Sequence, residues 1–481
     1  MSNLPSQQPV HVAGSITVIG ITLARSIHYI SSLFMMAYLS PEVIGEFAFA
    51  MFLMLAIYTL LTTGVESRII AKESRESYLA ESWTIELLRG GFTLLVILFI
   101  YIYNLYNSSL TISHQYLIIL GISMFIRCGK NINMVTSRRA LNMLPIFYVE
   151  LGSAISLLVT SIILVIIYQS GWALAMGYFF SSITYTFLSF KFLPREGSIL
   201  KFNMSSFYEI FSYSKWLMFS AQIVSFFENI VPLMISQIFG TSALGFFERS
   251  DLYTRKIIAQ ITQVFWIVGL PWASRSSRDN RKFVEIFTLI LLFFIILAIP
   301  SLVALSIFVP KLLVSIGGEA WLGTEDIVRA LCVVSVIACF NVPFCIVMQA
   351  IKRPNLSLWA GVVKLSVFIL ILMMWGSDNI LSFIYALAWA NLLSLFFYFI
   401  ASFYYLKIDI TEVIKDSLLL SLPFILFHQI GYEIIVDSNF LHQLFFVVVF
   451  FILNLIFCFF VISRKQQIRN TITSMFNRIL S

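Results

Sequence analysis

The sequence predicts an all-α polytopic membrane protein of about fourteen transmembrane helices, and three observations lead there. Mean hydropathy is +0.92, with 59% apolar and 11% charged residues and 47 Phe among 481 residues. Apolar runs of about 20 residues recur from end to end, each long enough to cross a hydrocarbon layer about 30 Å thick. Numbered in order, these runs leave twenty loop and tail Lys/Arg on one side and only Lys311 on the other. One missed helix would scramble that alternation, so the bias supports the even count and places both termini on the positively charged, cytoplasmic side.

Taken in order, the expected spans are 12–38, 43–64, 84–104, 116–136, 145–168, 172–190, 214–238, 245–270, 284–309, 326–350, 356–375, 382–405, 418–436 and 442–463. The first is read as a membrane helix because MSNLPSQQPVHVAG has neither a basic n-region nor a small-residue cleavage site. SSFYEIFSYSKW opens as a short interfacial helix running into span 7, anchored by Trp216 and two tyrosines. The longest loops are 191–213 inside and 310–325 outside, too short for an extramembrane catalytic domain. Five cysteines lie in apolar runs without a C-x-x-C pair, which argues for small buried hydrophobes and no metal or redox centre. The net charge of +7 reflects sidedness rather than nucleic-acid binding, and no cofactor is implied.

Two external hairpins match at an offset of 200 residues: AYLSPEVIGEFAF (37–49) against SQIFGTSALGFFE (236–248), pairing Gly45 with Gly245. TSRRALN (136–142) and AIKRPNL (350–356) each set two basic residues and a turn at the inner end of a fourth span. Such repeats mark transporter architectures. The expected organisation is two pseudo-symmetric six-helix lobes, 1–195 and 196–406, followed by a helix pair and basic cytoplasmic tail, 407–481.

Ten Lys/Arg fall in or beside the spans: Arg25, Arg89, Arg127, Lys130, Lys215, Arg249, Arg255, Lys256, Arg329 and Lys364. Arg89 and Lys215 stand near inner helix ends, where a long side chain can snorkel to the headgroups. The others must face protein or water, because a cation facing lipid at mid-bilayer costs at least ~2.5 to 3.5 kcal/mol. In span 8, Glu248, Arg249, Asp251, Arg255 and Lys256 occupy an arc of roughly 160°, continued by Thr262 and Gln263. Two readings stay open there, a cavity wall and a salt-bridge network in which Glu248 or Asp251 pairs with Arg255. Arg25 and His28 form a similar stripe in span 1. Lys215, Gln222, Ser225 and Asn229 share a face of span 7, while Glu228 points elsewhere. Spans 1, 7 and 8 together predict an electropositive interior suited to phosphate and hydroxyl groups.

LSPEVIGEFAFAMFLMLAIYTLLTTGVESRI (39–69), FGTSALGFFERSDLYTRKIIAQITQVFWIVGLPWASR (239–275) and the stretch from GGEAW to MQAIKRPN (317–355) resemble the Wzx-type polysaccharide flippases of the multidrug/oligosaccharidyl-lipid/polysaccharide superfamily. The resemblance covers roughly residues 12–405. It implies two lobes facing each other in a V, which move undecaprenyl-pyrophosphate-linked repeat units of O-antigen type across the bacterial inner membrane. Arg25, Lys215, Arg249, Arg255 and Lys256 match its cavity cations; His28, Gln222 and Asn229 join them from the helical stripes. Glu228 and Asp251 are the candidate proton- or sodium-coupling groups. Membrane lipids and other polysaccharide-assembly membrane proteins are the expected partners. Ser26 after Arg25, where lipid II flippases usually carry an acid, speaks against a peptidoglycan precursor. The competing readings are a multidrug antiporter of the same superfamily and a membrane glycan polymerase or ligase. No G-x-x-x-x-G-K-[ST] is present, so the chain is read as a secondary transporter and not an enzyme.

Overall fold

The computed structural model describes residues 10–66, 69, 76–107, 115–140, 142–204, 208, 225, 227–276, 280–351, 353–375 and 379–406. The described residues are helical apart from turns and short connections. In chain order the helices are α1 (Val10–Met36), α2 (Pro41–Leu60), α3 (Glu76–Asn107), α4 (Gln115–Cys128), α5 (Asn133–Arg139), α6 (Leu144–Tyr168), α7 (Trp172–Phe192), α8 (Phe227–Phe239), α9 (Thr241–Tyr253), α10 (Arg255–Ser276), α11 (Asn280–Gly317), α12 (Thr324–Ala350), α13 (Pro354–Trp375) and α14 (Ile380–Leu406). Eight described helices are long and apolar enough to cross a membrane, or nine if the bent α4–α5 pair counts as one span. Spans 13 and 14 and most of the interfacial segment lie outside the described residues.

The chain divides into two compact units, Met1–Glu248 with Ile316–Trp321 and Arg249–Ser315 with Leu322–Ser481. In unit 1, α7 packs on α6 and α4, α1 packs on α6, and α3 packs on α4. Small residues allow the closest of these approaches: an added methyl at Gly177 of α7 would lie 1.9 Å from the Ser161 hydroxyl oxygen of α6. In unit 2, α12 packs on α14 and α10, and α13 on α14. Leu95, Phe99, Met373 and Met374 are exposed, as outer faces solvated by acyl chains require.

The two hairpins that align at an offset of 200 meet each other within unit 1. Gly45 of α2 lies against the Thr241 carbonyl, and Gly245 of α9 lies against the Pro41 carbonyl. Residues 41 and 241, like 45 and 245, differ by 200, so the crossing is reciprocal about a local two-fold relation. Ser40 caps α2 and Pro41 opens it, which fixes where its first turn begins.

Three expected spans differ in form. Span 4 is two helices bent by 58° across residues 129–132. The break lets the Asn131 backbone N–H donate to Ser189 Oγ at 2.9 Å, while its amide donates to the Pro194 carbonyl at 2.7 Å. Span 8 is interrupted at Thr254, whose hydroxyl donates to the Ser250 carbonyl at 2.6 Å. Span 9 does not stop at 309: α11 continues through Pro310 to Gly317, leaving a much shorter connection than the loop expected over 310–325.

Candidate functional site

Unit 1 gathers charge where four helices meet. Arg25 and His28 lie a turn apart on α1, half-buried and exposed respectively. Arg127 of α4, Glu150 of α6 and Arg25 lie near enough to His28 to act on it through their charges. The Arg127 guanidinium sits 4.0 Å above the centre of the Tyr185 ring of α7, and the Tyr185 hydroxyl donates to Glu150 Oε1 at 3.3 Å. Glu150 is thus the carboxylate near both Arg127 and His28. Among the described residues, none accepts a hydrogen bond from Arg25, His28 or Arg127, and no carboxylate oxygen lies within 4.0 Å of them. Their donors are left for something else to satisfy.

Other intramembrane cations are held differently. Arg89, expected to snorkel, is buried inside unit 1. It pairs with Glu86 at 3.2 Å, donates to the Tyr58 carbonyl at 3.1 Å and to Thr62 Oγ1 at 3.1 Å, and stacks 3.6 Å above the Tyr58 ring. Glu86, three residues back, keeps it inside by neutralising its charge. Lys130 and Arg138 clasp Glu66 at 2.7 and 3.4 Å. Burial disfavours the Glu66 carboxylate, but these two cations outweigh it and hold its pKa below the ordinary value. Arg329 pairs with Glu325 and Asp326 in the first turns of α12, each at 3.4 Å.

The charge-rich segment of span 8 straddles the boundary between the units. In unit 2, Arg255 donates to Asp251 one turn back, and Lys256 Nζ lies 4.0 Å from the other oxygen of Asp251. The expected i,i+4 pair therefore forms, and Asp251, a candidate coupling group, is clasped by two cations. Arg249 is buried at 5% exposure, whereas Arg255 and Lys256 are half-buried. Asn229 is buried, and its amide donates to the Ser225 carbonyl, four residues back, at 2.7 Å. Glu228 is exposed. Lys215 and Gln222 lie outside the described residues. Arg127, Glu150 and Tyr185 were not among the residues that sequence pattern singled out for the site. Arg127 stood out only as an intramembrane cation, and nothing in local spacing tied it to Tyr185, 58 residues later.

Cys128, Cys332 and Cys339 are buried free thiols, and the described residues hold no metal-binding group of three or more His, Cys, Asp and Glu side chains. The arrangement supplies fixed and exchangeable charge but no nucleophile–base pair.

A family model described as "Polysaccharide biosynthesis protein" matches residues 35–326. No curated protein sequence matches the chain significantly. Solved structures of similar fold include the lipid II flippase MurJ in an inward closed conformation, with a TM-score of 0.65 and 15% identity over 91% of this chain and 97% of that one. An inward-facing multidrug resistance transporter of the MATE family aligns with a TM-score of 0.60 and 14% identity, covering 85% of this chain and 99% of that one. A transporter of the MOP superfamily from Pyrococcus furiosus, whose binding pocket is described as having reverse polarity, gives a TM-score of 0.55 and 14% identity over 83% of this chain and 97% of that one. The family match spans more than half of the sequence: the protein is a multi-pass membrane protein that belongs to the polysaccharide biosynthesis protein family and has the fold of the MOP transporters.

Proposed function

We propose that the protein is a flippase that carries undecaprenyl-pyrophosphate-linked oligosaccharide repeat units from the cytoplasmic to the outer leaflet of the bacterial inner membrane, with both termini cytoplasmic. The observation that carries this reading is the group of Arg25, His28 and Arg127, two guanidinium groups and an imidazole without hydrogen-bond acceptors among the described residues, in a helix bundle whose other described cations are mostly ion-paired. A guanidinium or imidazole N–H without a protein acceptor is open to a ligand or to water, and a pyrophosphate supplies several oxygens with matching charge. Arg249, Arg255, Lys256, Lys215, Gln222 and Asn229, marked by their helical stripes and by the resemblance, are the further candidates for binding the headgroup and glycan. The prenyl chain stays in lipid while the headgroup crosses, and alternating access of two lobes, residues 1–195 and 196–406, needs no covalent step. Glu228, exposed, is the freer of the two candidate coupling carboxylates. Using Asp251 would require releasing it from Arg255 and Lys256.

A cationic drug would meet net positive charge at this site, which disfavours a multidrug antiporter. The test is a deletion strain examined for its lipid-linked intermediates. The flippase reading expects unflipped repeat units to accumulate on the cytoplasmic leaflet. Flipped but unpolymerised units would instead indicate a polymerase or ligase, and drug sensitivity with normal surface glycan would indicate a drug exporter.

A further inference from the structure

The chain leaving α7 does not look like a connection that stands in water. Such connections ordinarily carry polar side chains, yet Ile199 and Leu200 are 65% and 71% exposed in a non-helical stretch, and Phe202 is exposed beside them. Lys191, Arg195 and Lys201 are exposed in the same segment, against a single acid, Glu196. Among the described residues none of the three cations is ion-paired, and Lys191 rests 5.7 Å over the Phe192 ring, which leaves its charge uncancelled.

The inner side of the segment is fully engaged. The Asn131 amide donates to the Pro194 carbonyl at 2.7 Å, and the Asn133 amide donates to the Glu196 carbonyl at 2.6 Å. The Lys201 backbone N–H donates to Thr84 Oγ1 of α3 at 2.8 Å. Gly197, at a φ of +74°, lies so close to α3 that an added methyl would stand 2.6 Å from Leu79 Cβ. The segment is therefore strapped by its backbone to α3 and to the α4–α5 break, with its apolar and basic side chains on the outside. Irregular backbone can lie at a membrane boundary only where protein groups satisfy it, as these amides do.

Continuity and charge identify what covers the outer side. Phe187 and Phe192 are exposed on α7, a helix long and apolar enough to span a membrane, so lipid covers them. The strap carries that surface past the helix end, where acyl chains give way to headgroups. A surplus of two positive charges there complements lipids that bear net negative charge. We propose that residues 191–202 form a binding surface for anionic phospholipid on the Lys/Arg-rich side of the membrane. Ile199, Leu200 and Phe202 enter among the upper acyl chains, while Lys191, Arg195 and Lys201 hold the phosphate headgroups. The surface is independent of what the protein carries.

The test uses the full-length protein with its five native cysteines replaced and bimane attached to Leu200→Cys. It is reconstituted in phosphatidylcholine vesicles containing either phosphatidylglycerol or phosphatidylcholine with a nitroxide high on one acyl chain. Quenching by the two labelled lipids gives their relative affinity at this position. Phosphatidylglycerol should be preferred about fivefold or more, the factor that one basic residue near an anionic surface supplies. The preference should fall toward unity in Lys191→Gln/Arg195→Gln/Lys201→Gln and rise in Glu196→Gln, with melting temperatures unchanged because these side chains are exposed. Equal quenching by both lipids in the parent protein, or a preference that survives the triple substitution, overturns the proposal. A bimane that neither lipid quenches also overturns it and assigns this face to water or to a soluble acidic partner.

Discussion

At the crossing of α2 and α9, a methyl added at Gly45 would lie 1.8 Å from the Thr241 carbonyl oxygen, and one at Gly245 would lie 1.9 Å from that of Pro41. A carbon and a carbonyl oxygen in contact stand about 3.3 to 3.6 Å apart, so Gly45→Ala must drive the two helices roughly 1.5 Å away from each other. Both obstructing atoms are backbone, and no side chain can rotate out of the way. Overpacking of this kind costs about 1 to 3 kcal/mol, against a gain of up to about 1 kcal/mol from replacing glycine in a helix. With backbone obstructing at less than 2 Å the upper end of that cost applies, and a net loss of about 2 kcal/mol follows. Gly91 of α3 is the matched control, because a methyl there would meet nothing nearer than 3.8 Å and should only gain. Thermal unfolding in one detergent can be followed by a thiol-reactive dye, since Cys128, Cys332 and Cys339 are buried when folded. The expected order of melting temperatures is Gly91→Ala at or above wild type, with Gly45→Ala below both. The Gly45→Ala/Gly245→Ala double variant should lose less than the sum of the singles, because the first substitution already opens the crossing for the second. A Gly45→Ala protein that melts with wild type would refute the close crossing.

Three further outcomes follow from the ion pairs and the broken span. Arg89→Gln strands the buried Glu86 carboxylate and should destabilise the protein by about 3 to 5 kcal/mol, while Arg89→Gln/Glu86→Gln recovers part of that in the same melt. Glu66 titrates below its ordinary value of 4.5, so its ion pairs contribute fully above the unfolded carboxyl's pKa and are lost as pH falls through the lower folded value. Wild type should therefore melt above Glu66→Gln at pH 7 and approach it as pH drops below about 4; a gap constant with pH contradicts this. Asn131→Ala removes the acceptor of Asn133 and Ser198 and the donor to Pro194, so limited proteolysis should cut residues 193–201 faster than in wild type, and an unchanged cleavage rate would show that these bonds do not hold the segment.

Hydropathy made the helical membrane architecture legible, because burial in lipid leaves little choice of secondary structure to a run of apolar residues. Local pairs were also legible: Asp251 and Arg255 are one turn apart, and their bond depends only on helical geometry. Helix breaks were harder to see. The bend after Cys128 is compensated by Ser189 and Pro194, and α11 passes through Pro310, so tertiary partners or neighbouring turns override the local signal. The α1 part of the proposed site was marked by the 3,4 spacing of Arg25 and His28. Its other half was not, because the seat of Arg127 is assembled from α6 and α7 and no periodicity within α4 refers to them. The match of Gly45 with Gly245 signalled a repeat but carried no indication that the two glycines touch each other.

Reconstitution addresses transport most directly. Purified protein would be placed in vesicles with a defined undecaprenyl-pyrophosphate-linked oligosaccharide, and the glycan reaching the opposite leaflet measured with and without a proton or sodium gradient. Protein-dependent movement that Arg25→Ala sharply reduces, while leaving the melting temperature unchanged, is the predicted result. Movement at the same rate in protein-free vesicles, or undiminished in a folded Arg25→Ala carrier, would contradict a cationic route for the headgroup.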